Sequence, residues 1–104
     1  MIRIHVSKKD NFIKEIIIKG HANYEEYGKD IVCAAVSATY LCTINAILSF
    51  EEQSIKIEEE RDKKIIKINE QNKTTNTLLK NMIRCLESLE TQYPKNIKLA
   101  KEEE

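Results

Sequence analysis

The apolar positions change period several times along the chain, and each change marks an element. Ile2, Ile4 and Val6 alternate with Arg3 and His5, the two-residue period of a strand with one buried face. His5 is therefore expected to point away from the face of its apolar neighbours. "SKKDN" is turn chemistry, and "FIKEIIIKG" reads as a second strand, the hairpin partner of the first. Lys14 and Glu15 interrupt its apolar pattern, which predicts a bulge or an edge position. From Asp30 to Phe50 the period lengthens. Val36, Tyr40, Ile44, Ile47 and Leu48 recur at helical spacing, with Asp30 as the N-cap whose carboxylate accepts a first-turn N–H. "SIKIEEE" and "KKIIKINE" return to strand patterning, joined by the polar "ERDKK" as a hairpin connection. Thr75 to Tyr93 is a second helix, its stripe formed by Leu78, Met82, Leu86, Leu89 and Tyr93. Thr74 or Thr75 caps it and Pro94 ends it. "NIKLAK" is a short last strand and the final "EEE" a solvated tail.

The order β-β-α-β-β-α-β gives two amphipathic helices and five strands that must bury one face each. The expected fold is α+β, a two-layer sandwich with both helices packed on one mixed sheet. At 104 residues, with no repeat or linker, residues 1–104 are expected to form a single domain.

Charge and cysteine usage narrow the functional classes. Seventeen basic residues balance seventeen acidic ones, so the chain lacks the net basic charge that nucleic-acid binding draws on, and no direct nucleic-acid partner is expected. The apolar runs read as too short to span a membrane. The opening "MIRIHVSKKD" has no apolar signal core. Three cysteines, at 33, 42 and 85 with no CxxC pair, suit reduced thiols in a cytoplasm better than a disulfide framework. Cys42 and Cys85 fall inside helical patterns and read as packing residues.

Chemistry concentrates in "GHANYEEYGKDIVCAAVS", residues 20–37, at the seam between strand two and helix one. With Asp30 as N-cap, Cys33 occupies the first turn, where free N–H groups and the macrodipole favour a thiolate. The same N–H groups suit an oxyanion. His21 directly follows the end of strand two and is a candidate to take the thiol proton. Gly20 relaxes the turn before the loop "NYEEYGK" and Gly28 frees its far end, so both are hinge candidates for a loop that closes over a peptide.

"GHA", five residues, then "GKDIVCAAVS" resembles the signature of the Prp family of ribosomal-processing cysteine proteases. Length and element order are similar as well, so the likeness extends over the whole chain. The resemblance implies a cytoplasmic peptidase, usually a homodimer, that removes the N-terminal extension of a bacterial large-subunit ribosomal protein. Family substrates carry aromatic residues just before the cut. By position, Cys33 would be the nucleophile and His21 its general base and acid. Asp30 would orient or cap, and Ser37, one turn beyond Cys33 on the same face, would contact substrate or satisfy local backbone. Tyr24 and Tyr27 are candidates to touch substrate aromatics. No cofactor or metal is implied; His21, Cys33 and Asp30 have ligand chemistry but lack metal-site spacing and a fourth ligand. The competing reading is a non-catalytic peptide-binding or ribosome-assembly module using the same groove. A redox sensor lacks a resolving cysteine near Cys33.

Overall fold

The computed structural model describes residues 1–20 and 27–104, with residues 27–30 as backbone only. Five strands and two long helices follow the expected order. They are β1 (Ile2–Lys9), β2 (Phe12–Lys19), α1 (Tyr27–Phe50), β3 (Ile55–Glu60), β4 (Lys63–Ile68), α2 (Lys73–Gln92) and β5 (Ile97–Glu103). A 3-10 turn at Glu52–Ser54, which no sequence signal announced, leads into β3.

The five strands form one mixed sheet in the order β3-β4-β2-β1-β5, with β5 parallel to β1 and every other pair antiparallel. β2 and β4 run in opposite directions, and the crossovers through α1 and α2 travel to opposite edges. Right-handed crossovers under those two reversals put both helices on the same face. That face holds the core: Ile2, Ile4, Val6, Ile16, Ile18 and Ile66 from the sheet meet Val32, Val36, Tyr40 and Ile47 of α1 and Leu79, Met82 and Leu86 of α2. The open face carries Arg3, His5 and Ser7, as the alternation predicts. His5 Nε2 lies 3.2 Å from Glu102 Oε2 there.

The β1–β2 turn is a two-residue loop in which Asp10 and Asn11 both have positive φ, 51° and 69°. Asn and Asp tolerate that region best after Gly, and the turn's twist matches that of the strands. The register between β1 and β2 shifts at Ser7/Lys8, pairing Ser7 with Glu15 and Lys8 with Ile13, so Lys14 is the bulged residue, as its break in pattern predicts. Asn76 of α2 braces this hairpin. Its Oδ1 accepts the N–H of Ile13 at 3.0 Å, and its amide donates to the carbonyl of Asn11 at 3.3 Å.

Several boundaries differ from the sequence reading. The N-cap of α2 is Asn72, whose Oδ1 accepts the N–H of Thr75 at 2.8 Å. Thr75 instead lies buried one turn in, sharing a 2.7 Å hydroxyl hydrogen bond with Ser54. The acidic tail is no loose end: Glu102 and Glu103 continue β5 beside Ser7 and Lys8. The N–H of Glu104 donates to the carbonyl of Lys8, and its carboxylate faces Lys14 at 3.5 Å. Cys42 and Cys85 are not packing residues. Both are exposed on outward helix faces. Finally, Ile31–Phe50 contains no charged residue and is long and apolar enough to cross a membrane by length and composition, contrary to the expectation from its short apolar runs. Its Val32, Val36, Tyr40, Ile44 and Ile47 are buried in the core, the pattern of a helix packed on a sheet.

Candidate active site

The end of β2 is fixed by a contact that only glycine permits. Gly20 has φ +96°, and a Cβ there would stand 2.5 Å from the carbonyl oxygen of Met1. Its N–H donates to the carbonyl of Asp62 in the β3–β4 turn at 2.8 Å. Three chain segments are thus drawn to one corner: the start of β1, the end of β2 and the β3–β4 turn.

Over that corner lies the first half of α1. Cys33, Val36, Ser37 and Tyr40 recur at steps of three and four along one helix face and line a cavity of about 180 Å³. Ile2, Ile18 and Gly20 form its sheet wall, and residues 60–64, from Glu60 to Lys64, its other side. Cys33 is half-buried, so the thiol is reachable without being fully exposed. Tyr40 is buried, only 3% exposed. Burial holds its hydroxyl proton above the ordinary tyrosine range, and the nearby Glu59 carboxylate adds to that. The Lys64 ammonium sits 4.6 Å from the centre of the Tyr40 ring, a cation–π contact at the cavity wall.

Of the residues singled out from sequence, the structure gathers Cys33, Ser37 and Gly20 around this one cavity. His21 and Tyr24 lie outside the described residues, and the side chains of Tyr27 and Asp30 do too. Two readings are corrected by the start of α1 at Tyr27. Asp30 is the fourth residue of the helix rather than its cap. Gly28 and Tyr27 belong to the helix and not to a loop, so Gly28 is no loop hinge. The physical reason is that the polar stretch before Asp30 lacks any residue forbidding helix, apart from a glycine that a first turn tolerates. Cys33 consequently stands in the second turn. Its own N–H falls within the i→i−4 ladder, and the macrodipole is weaker there than at the first turn. Gly20, read as a relaxed turn, is pinned on both sides.

The side of the cavity that sequence reasoning missed is the β3–β4 turn. "ERDKK" announced a hairpin and nothing more. Its place at the site follows from strand order, because β4 lies next to β2 and its first residue, Lys63, pairs with Lys19 at β2's end. No local signal carries that information.

Comparison with known proteins agrees with this arrangement. The family model described as "Cysteine protease Prp" matches residues 1–98. The ribosomal processing cysteine protease Prp of Staphylococcus aureus (strain Mu50 / ATCC 700699) is 32% identical over 103 residues, covering 95% of this chain and 97% of that protein. The Bacillus subtilis (strain 168) protein of the same name is 29% identical over 97 residues, covering 86% and 87%. Two crystal structures of S. aureus Prp superpose with a TM-score of 0.88 over 98% of this chain and all of theirs. One holds a substrate peptide, at 28% identity, and the other a covalently linked product peptide, at 29%. The cavity beside a half-buried cysteine and the match across nearly the full chain lead to one conclusion: this protein belongs to the Prp family of cysteine proteases.

Proposed function

We propose that the protein is an endopeptidase that removes the N-terminal extension of a bacterial large-subunit ribosomal protein, with Cys33 as nucleophile and His21 as general base and acid. The observation that carries this reading is the position of Cys33, half-buried on the wall of the cavity that Gly20 also lines. The chain leaves that wall at Gly20, and His21 is the next residue. The apolar share of the wall, Ile2, Ile18, Val36 and the Tyr40 ring, suits an aromatic side chain next to the scissile bond. Ser37 stands on the same wall to meet the peptide. Tyr24 and Tyr27 are proposed as further aromatic contacts, and Asp30 as an orienting group. The enzyme is proposed to work in the cytoplasm as a homodimer, a reading supported by an uncovered apolar side of α1.

The reaction is acyl transfer. His21 accepts the Cys33 proton, the thiolate attacks the peptide carbonyl, and the tetrahedral intermediate collapses as His21 protonates the departing amine. A water, deprotonated by the same imidazole, then adds to the thioester and frees the new carboxylate and Cys33. Because Cys33's own N–H falls within the helical ladder, the oxyanion is assigned to donors other than that group, the unpaired N–H groups of the first turn of α1 being the available ones on this helix.

The deciding experiment is cleavage of an aromatic-tailed precursor by wild type, Cys33→Ala and His21→Ala, followed by mass spectrometry. A shortened product from wild type, and a loss of at least about 10³-fold in rate for each variant, are expected. Binding of precursor with no product from wild type would favour the peptide-binding module instead.

A further inference from the structure

The balanced total charge hides an uneven distribution on the open face of the sheet. Lys63 of β4 lies opposite Lys19 of β2, Lys19 opposite Arg3 of β1, and Arg3 opposite Lys98 of β5. Their strand neighbours Lys64, Ile18, Ile2 and Ile97 turn to the helix side, so these four point to the face that no helix covers. The cations therefore stand in one row across four adjacent strands, about 14 Å long at about 4.8 Å a step. Like charges directly opposite one another destabilise a sheet. None of the four enters an ion pair among the described residues. Glu60 ends the row on β3, opposite Lys63 but not paired to it. Farther along this face, Glu58 and Glu102 are engaged by Lys67 and His5, and Glu15 lies across from Lys67.

We propose that this row docks the phosphate backbone of duplex RNA and so holds the protease beside the RNA on which its substrate assembles. An evenly spaced row of one sign fits a polymer with a charge on every unit. The choice of RNA over other polyanions rests on the processing reading above, since a ribosomal protein is bound for RNA. The choice of duplex follows from what the face lacks. The next row inward holds Ile65, Ile17, His5 and Ala100, so no Phe, Tyr or Trp offers the stacking platform that single strands use. Backbone contacts alone make the binding independent of sequence. Its place suits the chemistry. Lys63 also lines the Cys33 cavity, and Lys19 directly precedes Gly20, so the row runs along the sheet end that carries the site, on the opposite face. RNA docked there leaves the cavity open, and a precursor on the same RNA meets it at raised local concentration.

Fluorescence anisotropy of a labelled RNA duplex tests this with wild type and the triple variant Arg3→Gln, Lys19→Gln, Lys98→Gln. Lys63 is spared because it lines the cavity. Between about 50 and about 200 mM salt, the variant's plot of log Kd against log salt should be shallower by about three, one for each cation removed. At the low-salt end its affinity should fall at least about tenfold. Removing opposed like charges should leave the urea midpoint equal or higher, so that lost binding is not lost fold. No binding by wild type, or unchanged affinity in the variant, would overturn the row. Polyglutamate, phosphatidylserine vesicles or duplex DNA competing better than unlabelled RNA at matched charge would overturn the choice of RNA. Cleavage measured in parallel separates this proposal from the processing reading. Both proteins should cut free precursor peptide at the same rate, while wild type should cut precursor tethered to the duplex at least about tenfold faster than the variant. Equal rates on the tethered precursor would overturn the placement beside the substrate. RNA binding with no cleavage of any precursor would overturn the peptidase reading and leave a phosphate-binding face; cleavage with no RNA binding would do the reverse.

Discussion

α1 and α2 are both long helices crossing the same sheet face, yet only α2 is built as structure alone requires. α2 has an Asn72 cap, a buried stripe of Thr75, Leu79, Met82, Ile83 and Leu86, and a solvent side that includes Lys80, Arg84 and Glu87. α1 carries no charge from Ile31 to Phe50 and leaves several large apolar side chains in water. It gives one face to the core, a second to the cavity through Cys33 and Ser37, and a third to solvent. A helix that only had to pack would spend its outer face on charge, as α2 does. The difference separates a helix whose outer face is given to solvent from one that also lines the cavity and leaves apolar side chains exposed.

Truncating the two helices at apolar positions should break this symmetry most sharply. Leu79, fully buried in α2, should lose about 2–5 kcal/mol of stability as Leu79→Ala, because a cavity is left in a packed core. Leu41→Ala in α1, half exposed, should stay within about 0.5 kcal/mol when measured at concentrations too low for association. Urea unfolding midpoints of the two variants decide it; equal losses would mean that α1's outer side is packed within one chain.

The three cysteines sharpen the same contrast chemically. Cys42 and Cys85 are exposed and Cys33 is half-buried, so access alone would make Cys33 the slowest to react. If His21 activates it, the order reverses. Iodoacetamide should then modify Cys33 at least about tenfold faster than Cys42 or Cys85 at neutral pH, given the control of thiol reactivity by thiolate fraction. Mass mapping of a timed reaction reads the order directly. Cys33 reacting last would count against an activated thiol.

These contrasts also mark what the sequence could convey. Strand and helix order was legible because period-two and helical patterns are local. So was the bulge at Lys14, where a lysine breaks an apolar strand. Helix starts were less legible. Thr74, Thr75 and Asp30 are good capping residues, but Asn72 and the stretch before Asp30 could compete, and tertiary contacts such as Ser54 with Thr75 chose between them. The acidic tail looked solvated because its charge is conspicuous, while its partners His5 and Lys14 lie about ninety residues away. The candidate nucleophile was readable from its motif. The cavity wall opposite it was not, since residues 60–64 reach the site through strand order alone.

Removing the cap of α2 tests a smaller term. Asn72→Ala frees the Thr75 N–H that its side chain now accepts at 2.8 Å and should cost about 1 kcal/mol. Asn72→Ser, which can still accept that hydrogen bond, should recover most of it. Loss of activity far beyond the loss of stability would show α2 touching the chemistry, against the division of labour drawn here.

The smallest expected effect concerns alkaline pH and again falls on α1. The buried stripe of α2 has no titratable group, whereas that of α1 contains Tyr40. Burial, with Glu59 adding to it, raises the Tyr40 pKa above its usual 10.0. The unfolded chain therefore releases this proton first, and the stability linked to it is intact below about pH 10 and drains away as pH rises through the folded value. Tyr40→Phe has no such proton. Between about pH 8 and about pH 11, urea midpoints of wild type should fall further than those of Tyr40→Phe. Parallel curves for wild type and Tyr40→Phe would mean that the phenol reaches water through the cavity, and that the wall beside Cys33 is more open than its packing indicates.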